Sequence, residues 1–145
     1  MIDDVEPIWR KPIDVARLNE TERKVMPGYL GIKITEFGAD YLCGTMPVED
    51  RTMQPFGVLH GGASVVLAET LGSIAGYFCL ADESANCFGV SINSSHIRPV
   101  SSGLVTGKAM PYHIGRTTHV WNIEIVNDKG KLVNVSRLTL AVVHK

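Results

Sequence analysis

The chain has 145 residues, 45% hydrophobic and 20% charged, a balance that suits one globular domain with a real core and excludes a disordered or low-complexity protein. Fourteen basic side chains against fifteen acidic ones leave a formal net charge of -1, so nothing draws the whole chain to nucleic acid or to an anionic membrane. The longest uncharged run, Thr52 to Ala68, is 17 residues but contains Gln54, Pro55, His60 and a glycine pair, which excludes a membrane span.

The first residues, MIDDVEPIWRKP, are acidic at once and show no apolar stretch followed by a small-residue cleavage site, so no secretory signal is expected. Cys43, Cys79 and Cys87 are odd in number and form no CxxC, which argues against a disulfide framework and against a zinc site. A soluble, cytoplasmic protein is the expectation. Residues 1–13 read as a loosely tethered lead-in. Asp14 is placed to cap a short helix through Val15 and Leu18 towards Arg23, with Pro27 and Gly28 as its stop. Residues 1–28 are thus expected to form a lead-in with one short helix, and residues 29–145 the main domain.

From Leu30 the texture becomes β-like. Leu30–Phe37 and Tyr41–Val48 flank Gly38-Ala39-Asp40, a hairpin connection, and a long loop follows from Glu49 to Leu59. The strongest helix pattern runs from about Gly61 to Leu80, GGASVVLAETLGSIAGYFCL, with one charged residue in twenty. A helix apolar nearly all round belongs inside a protein. Its Gly72 and Gly76, four apart, admit close approach of another backbone. Four further strands are expected near Cys87–Arg98, Gly103–His113, Thr117–Asn127 and Leu132–His144. In the third of these, His119, Trp121, Ile123 and Ile125 alternate with a second set, the pattern of a half-buried strand. Strands joined in tight succession favour an antiparallel sheet with the one long helix covering a face, an α+β fold. One helix leaves the other face and the edges of such a sheet in need of cover, and association of subunits supplies it.

Chemistry concentrates in Gln54-Pro-Phe-Gly-Val-Leu-His60-Gly61-Gly62 and the helix behind it. Glu69 is a lone carboxylate in an apolar helix, and needs a partner, a raised pKa or a cleft. Gly61 and Gly62 leave first-turn amides unshielded at the positive end of the helix, a ready seat for a carbonyl oxygen that becomes negative in acyl transfer. Ser73 lies one turn beyond Glu69 on the same face and can hold a water or orient the carboxylate. Glu69 can act as a general base on water or attack a carbonyl itself; the residues do not choose. No HExxH or clustered metal-ligand spacing appears, and Gly62-Ala63-Ser64-Val65-Val66 lacks the second glycine of a GxSxG elbow.

Geometry adds one expectation. Gly61 and Glu69 lie about 12 Å apart along the helix, one pointing past its start and the other sideways. A single helix is poorly placed to bring both to one carbonyl, so two antiparallel helices from two subunits are expected to share each site.

HGGASxxLAET preceded by QPFGxLH resembles the hotdog-fold acyl-CoA thioesterases of the PaaI-like and 4-hydroxybenzoyl-CoA thioesterase group. The likeness continues through Asn93-Ser94-Ser95-His96-Ile97-Arg98-Pro99-Val100 and His113-Ile114-Gly115-Arg116, covering roughly Gly31 to Val142. It is nearest to the enterobactin-pathway proofreading and 1,4-dihydroxy-2-naphthoyl-CoA thioesterases. The resemblance implies an antiparallel sheet wrapped around one long central helix, in homodimers that pair into tetramers. It implies a thioester hydrolase with no cofactor beyond the coenzyme A of its substrate, and leaves a carrier protein open as an alternative thioester donor.

By position, the resemblance makes Glu69 the catalytic carboxylate and Gly61 the amide that polarises the thioester carbonyl. Gln54 and His60 help seat the thioester from the opposite subunit, and Ser73 helps place the water or the intermediate. Gly62, Ser95, His96, Arg98, Gly115 and Arg116 belong to substrate binding, the arginines as phosphate contacts. Some relatives carry a histidine where this chain has Ile97. For the acyl group, Phe56, Val65, Tyr77 and Phe78 are candidates to line an apolar pocket, and an aryl- or β-hydroxyaryl-CoA is the expected substrate. A hotdog dehydratase and a non-catalytic acyl-CoA binding module are the rival readings.

Overall fold

In the computed structural model, which describes residues 5–145, the chain runs α1 (Val15–Glu22), α2 (Met26–Tyr29), β1 (Lys33–Phe37), β2 (Leu42–Pro47), a 3-10 turn at Asp50–Thr52, α3 (Gly61–Phe78), β3 (Ala85–His96), β4 (Leu104–Ile114), β5 (Thr118–Val126) and β6 (Leu132–His144). The six strands make one antiparallel sheet in the order β1-β2-β4-β5-β6-β3. The sheet packs around α3, the hotdog arrangement. No helix among the described residues is long and apolar enough to cross a membrane.

The apolar stripe of α3 explains why the sheet folds onto it. Leu67, Ala68, Leu71 and Ala75 are fully buried against Leu42, Met46, Val105, Trp121, Ile123, Leu138 and Leu140. Each large side chain so removed from water contributes roughly 1.5–3 kcal/mol before the cost of ordering the chain. On β5 the alternation is realised: His119, Trp121, Ile123 and Ile125 are buried and their neighbours are not. Gly44 of β2 pairs with Gly107 of β4, and together they leave the notch that Leu71 fills. Gly72 and Gly76 do not meet another backbone as the spacing suggested. They make room for side chains of β6: a Cβ at Gly72 would stand 2.6 Å from Leu138 Cδ2, and one at Gly76 would strike Leu140.

Two details of the amino-terminal segment differ from the sequence expectation. Asp14 caps α1, accepting from the Arg17 amide at 3.1 Å, but Pro27 and Gly28 lie inside the single turn of α2 rather than stopping α1. The lead-in, of which residues 1–4 lie outside the described part, is docked from Ile8 onward. The Ile8 amide donates to Ala39, Trp9 Nε1 to Gly38, the Arg10 amide to Phe78 and Lys11 Nζ to Leu80, each at 2.7–2.9 Å. α1 also closes one edge of the sheet. Asn19 donates to the Ile34 carbonyl and accepts from the Ile34 amide, both at 2.8 Å, so β1 offers no free pair there. The opposite edge, β3, carries no such plug among the described residues and exposes Phe88 and Val90.

Candidate active site

The loop before α3 is held at several points. Thr52, buried, donates its hydroxyl towards Pro47; the His60 amide donates to Thr52 at 2.8 Å and the Leu59 amide to Val100 at 2.7 Å. Within it the Gln54 side-chain oxygen accepts from the Phe56 amide. That contact uses the acceptor end of the carboxamide and leaves its NH₂ as the end available to a ligand.

At the start of α3, the structure refines the expectation that both glycine amides are open. His60 is the N-cap, and its Nδ1 accepts from the Gly62 amide at 2.8 Å. Ala63 and Ser64 donate to the His60 carbonyl. Among the described residues the Gly61 amide alone in this turn has no hydrogen-bond partner. A single backbone donor thus stands free at the positive end of an 18-residue helix.

Gln54, Gly61 and Ser64 line a cleft of about 360 Å³ together with His96, Arg98, Pro99 and Val133. His96, at the end of β3, lies over Gly61, its Nε2 2.7 Å from where a Cβ of residue 61 would stand. Arg98 is exposed and donates to the Leu132 carbonyl at 2.9 Å. Ser95 alternates onto the other face of β3 and is exposed.

Glu69 and Ser73 occupy a different cleft, of about 320 Å³, with Val66, Thr70 and Ile74 of α3 as its floor and Glu22, Met26 and Pro27 as a wall. Glu69 is half-buried and no side chain among the described residues bonds it or pairs with it. The fold gives this lone acid of an apolar helix a cleft. Its Oε1 instead touches the backbone of Gly89, where a Cβ would collide with it. Glu22, at the end of α1, shares the cleft, and burial pushes its carboxyl above the usual carboxylate range.

The expected residues therefore fall into two groups on one chain, Gln54, Gly61, His96 and Arg98 in one hollow and Glu69 with Ser73 in another. His60 and Gly62 sit beside the first as cap and capped amide. Gly115 and Arg116 form the turn between β4 and β5, and the strand registers put that turn at the end of the sheet opposite His96. Of the residues offered for the acyl pocket, Phe56 is 92% exposed at the loop tip, and Val65, Tyr77 and Phe78 line neither hollow. The α3 face that lines the Glu69 cleft is Val66, Thr70, Ser73 and Ile74, one residue round from Val65. Glu22 and Gly89 were not singled out from sequence; only their distance along the chain from the HGG motif hid them. Cysteine chemistry is disfavoured, since burial pushes the Cys79 thiol up to about 12 and raises Cys43 and Cys87 as well.

The Thioesterase superfamily matches residues 56–134, the stretch that holds α3, β3, β4 and β5. A 1,4-dihydroxy-2-naphthoyl-CoA hydrolase of Escherichia coli (strain K12) is 47% identical over 135 residues, 93% of this chain and 98% of that one. A proofreading thioesterase EntH of Cronobacter turicensis is 46% identical over the same shares of the two chains. The crystal structure of a thioesterase from Haemophilus influenzae superposes with a TM-score of 0.92 at 50% identity, covering 94% of this chain and 95% of that one. With a match across more than half its length and relatives alike almost end to end, this chain belongs to the Thioesterase superfamily and is a thioester hydrolase.

Proposed function

We propose that the enzyme hydrolyses aryl- or hydroxyaryl-CoA thioesters, such as 1,4-dihydroxy-2-naphthoyl-CoA, to the free acid and coenzyme A. Glu69 is the reacting carboxylate. As nucleophile it bonds to the thioester carbon and expels the thiolate, and water then cleaves the anhydride; as general base it takes the proton from water, which attacks directly. In either route the carbonyl oxygen gains negative charge, and the free Gly61 amide and the Gln54 NH₂ are the donors that meet it. His60 keeps the Gly62 amide occupied, so the oxygen is offered one backbone donor rather than two. Ser73, one turn from Glu69, positions water.

The single observation that carries this reading is the Gly61 amide, unpartnered among the described residues, in one cleft with a Gln54 carboxamide whose oxygen is already engaged. The acyl assignment draws on the two relatives named above and on the apolar floor of the Glu69 cleft. Because acid and amide occupy separate hollows, each site needs the Glu69 cleft of one chain and the Gly61 cleft of another. The open edge of β3, set against the plugged edge of β1, supports pairing of two sheets into one, and a dimer of such dimers follows the family resemblance. Coenzyme A then runs past His96 and Arg98, with the Gly115–Arg116 turn of the second chain within the same assembly; a carrier-protein thioester presents the same pantetheine arm. Thiol release over a panel of aryl-CoA, straight-chain acyl-CoA and aryl-carrier-protein thioesters tests the substrate. Glu69→Gln is expected to keep the fold and lower kcat by several orders of magnitude. Near-normal turnover in that variant removes the assignment.

A further inference from the structure

Asn134 and Ser136 of β6 are fully buried polar residues in a wall that is otherwise aliphatic, and they face Ser94 and His96 directly across the β3–β6 pairing. Asn134 Nδ2 lies 2.7 Å from Ser94 Oγ and 3.1 Å from His96 Nδ1. Ser136 Oγ is 2.8 Å from Asn134 Oδ1 and 2.9 Å from Ser94 Oγ. Each hydroxyl has one proton, so Ser136 donates only one of its two contacts. If Ser136 donates to Asn134 Oδ1, Ser94 donates to Ser136 and receives from Asn134, closing a three-membered ring. The second Asn134 N–H is then left over, and it points at His96 Nδ1.

We infer that Asn134 is a positioning residue that holds His96 in the tautomer with its proton on Nε2. A buried carboxamide that donates to Nδ1 forbids a proton there, so the ring must carry it on the nitrogen that lies over Gly61. Nε2–H then stands beside the free Gly61 amide and the Gln54 carboxamide in the same cleft, a third donor for the oxygen that becomes negative. The opposite tautomer would present a lone pair to that oxygen and repel it. The hydroxyl ring closes equally well in either direction, so it is the Nδ2 contact to His96, not the ring, that sets the tautomer.

This inference rests on the proposed role of the Gly61 cleft, and its test is separable from that role. In protein labelled with ¹⁵N-histidine, the His96 signals at neutral pH are expected to show an unprotonated Nδ1 and a protonated Nε2. A proton on Nδ1, in a neutral or a charged ring, overturns the inference whether or not any thioester is turned over. In kinetics, Asn134→Asp replaces the donor with an acceptor and draws the proton to Nδ1. It is expected to lower kcat about 10²-fold, the usual effect of losing one oxyanion donor, with a smaller change in KM. In a His96→Ala background the same change should cost almost nothing more. An equal loss in both backgrounds means Asn134 acts only through the fold, and the inference fails.

Discussion

Glu69 and Gly89 are in contact across the interface between α3 and β3: the carboxylate oxygen occupies the space that a side chain at position 89 would need. The strand is irregular at this point, its register against β6 shifting between Gly89 and Ser91, so the backbone next to the acid is bent as well as bare. Gly89→Ala would press on the far end of a flexible side chain in an open cleft. Stability should change little, because Glu69 can swing away. Activity should not survive the swing so well. A reacting group displaced by about 1 Å commonly costs on the order of 10²-fold, and kcat for thiol release is expected to fall by that much while the melting temperature stays near that of the parent.

Gln54→Glu separates the two ends of the carboxamide. The acceptor that holds the Phe56 amide is retained, so the loop should keep its shape. In the proposed role, the donor end becomes a carboxylate facing a developing negative charge. A loss of about 10²–10³-fold in kcat is expected, at least as severe as that of Gln54→Ala. Equal activity in Gln54→Glu and the parent would show that this side chain does not face the thioester oxygen.

Glu22 and Ser73 share a cleft, and burial raises the Glu22 pKa. The folded protein therefore holds this proton more tightly than the unfolded chain. Below the unfolded carboxyl pKa both states are protonated and nothing is lost; as pH rises through that value and on through the raised folded one, ionising Glu22 counts against the fold. Glu22→Gln should accordingly melt higher than the parent at neutral pH and together with it in acid. Thermal melts at pH 7 and pH 3 check this, and a lower melting temperature for the variant at pH 7 would refute it.

His119 carries the opposite sign. It is 1% exposed; burial, then the charge of His113, lowers its pKa, partly offset by the Gly115 backbone. Among the described residues its Nδ1 and the neighbouring Trp121 Nε1 have no hydrogen-bond partner. The unfolded chain takes up this proton first, so the contribution is intact above the unfolded pKa and is lost as pH falls from there towards the lowered folded one. His119→Phe, which removes the titration and one buried unpartnered nitrogen, is expected to lose less of its melting temperature between pH 7 and pH 5 than the parent.

The amino-acid sequence was most legible where a residue answers to its own neighbours. The apolar run of α3, the alternation on β5 and the cap at Asp14 are local patterns, and each appears where its periodicity or capping chemistry puts it. The HGG motif and Glu69 were legible for a related reason, since a charge or a glycine pair inside an apolar helix is anomalous on its face. What was hidden is set by register. Asn134 reads as an ordinary strand residue until β6 is laid against β3 and brings it opposite His96. Gly89 is unremarkable until α3 crosses it. The sequence points to Val65, whereas Val66 is the residue that lines the Glu69 cleft, a difference of one position that rotates a helical side chain by about 100°. Phe78 and Gly38 likewise gave no sign that the lead-in would dock on them.

The division of acid and amide between two hollows of one chain has a genetic consequence. On the proposed roles, a chain lacking Glu69 still carries a sound oxyanion cradle, and a chain lacking Gln54 still carries a sound acid. In a two-fold assembly, co-expressing the two defective alleles places both lesions in one composite centre and leaves its twin whole. Mixed populations should recover turnover that neither allele has alone. If instead every polypeptide completes its own centre, the mixture stays as inactive as its parts.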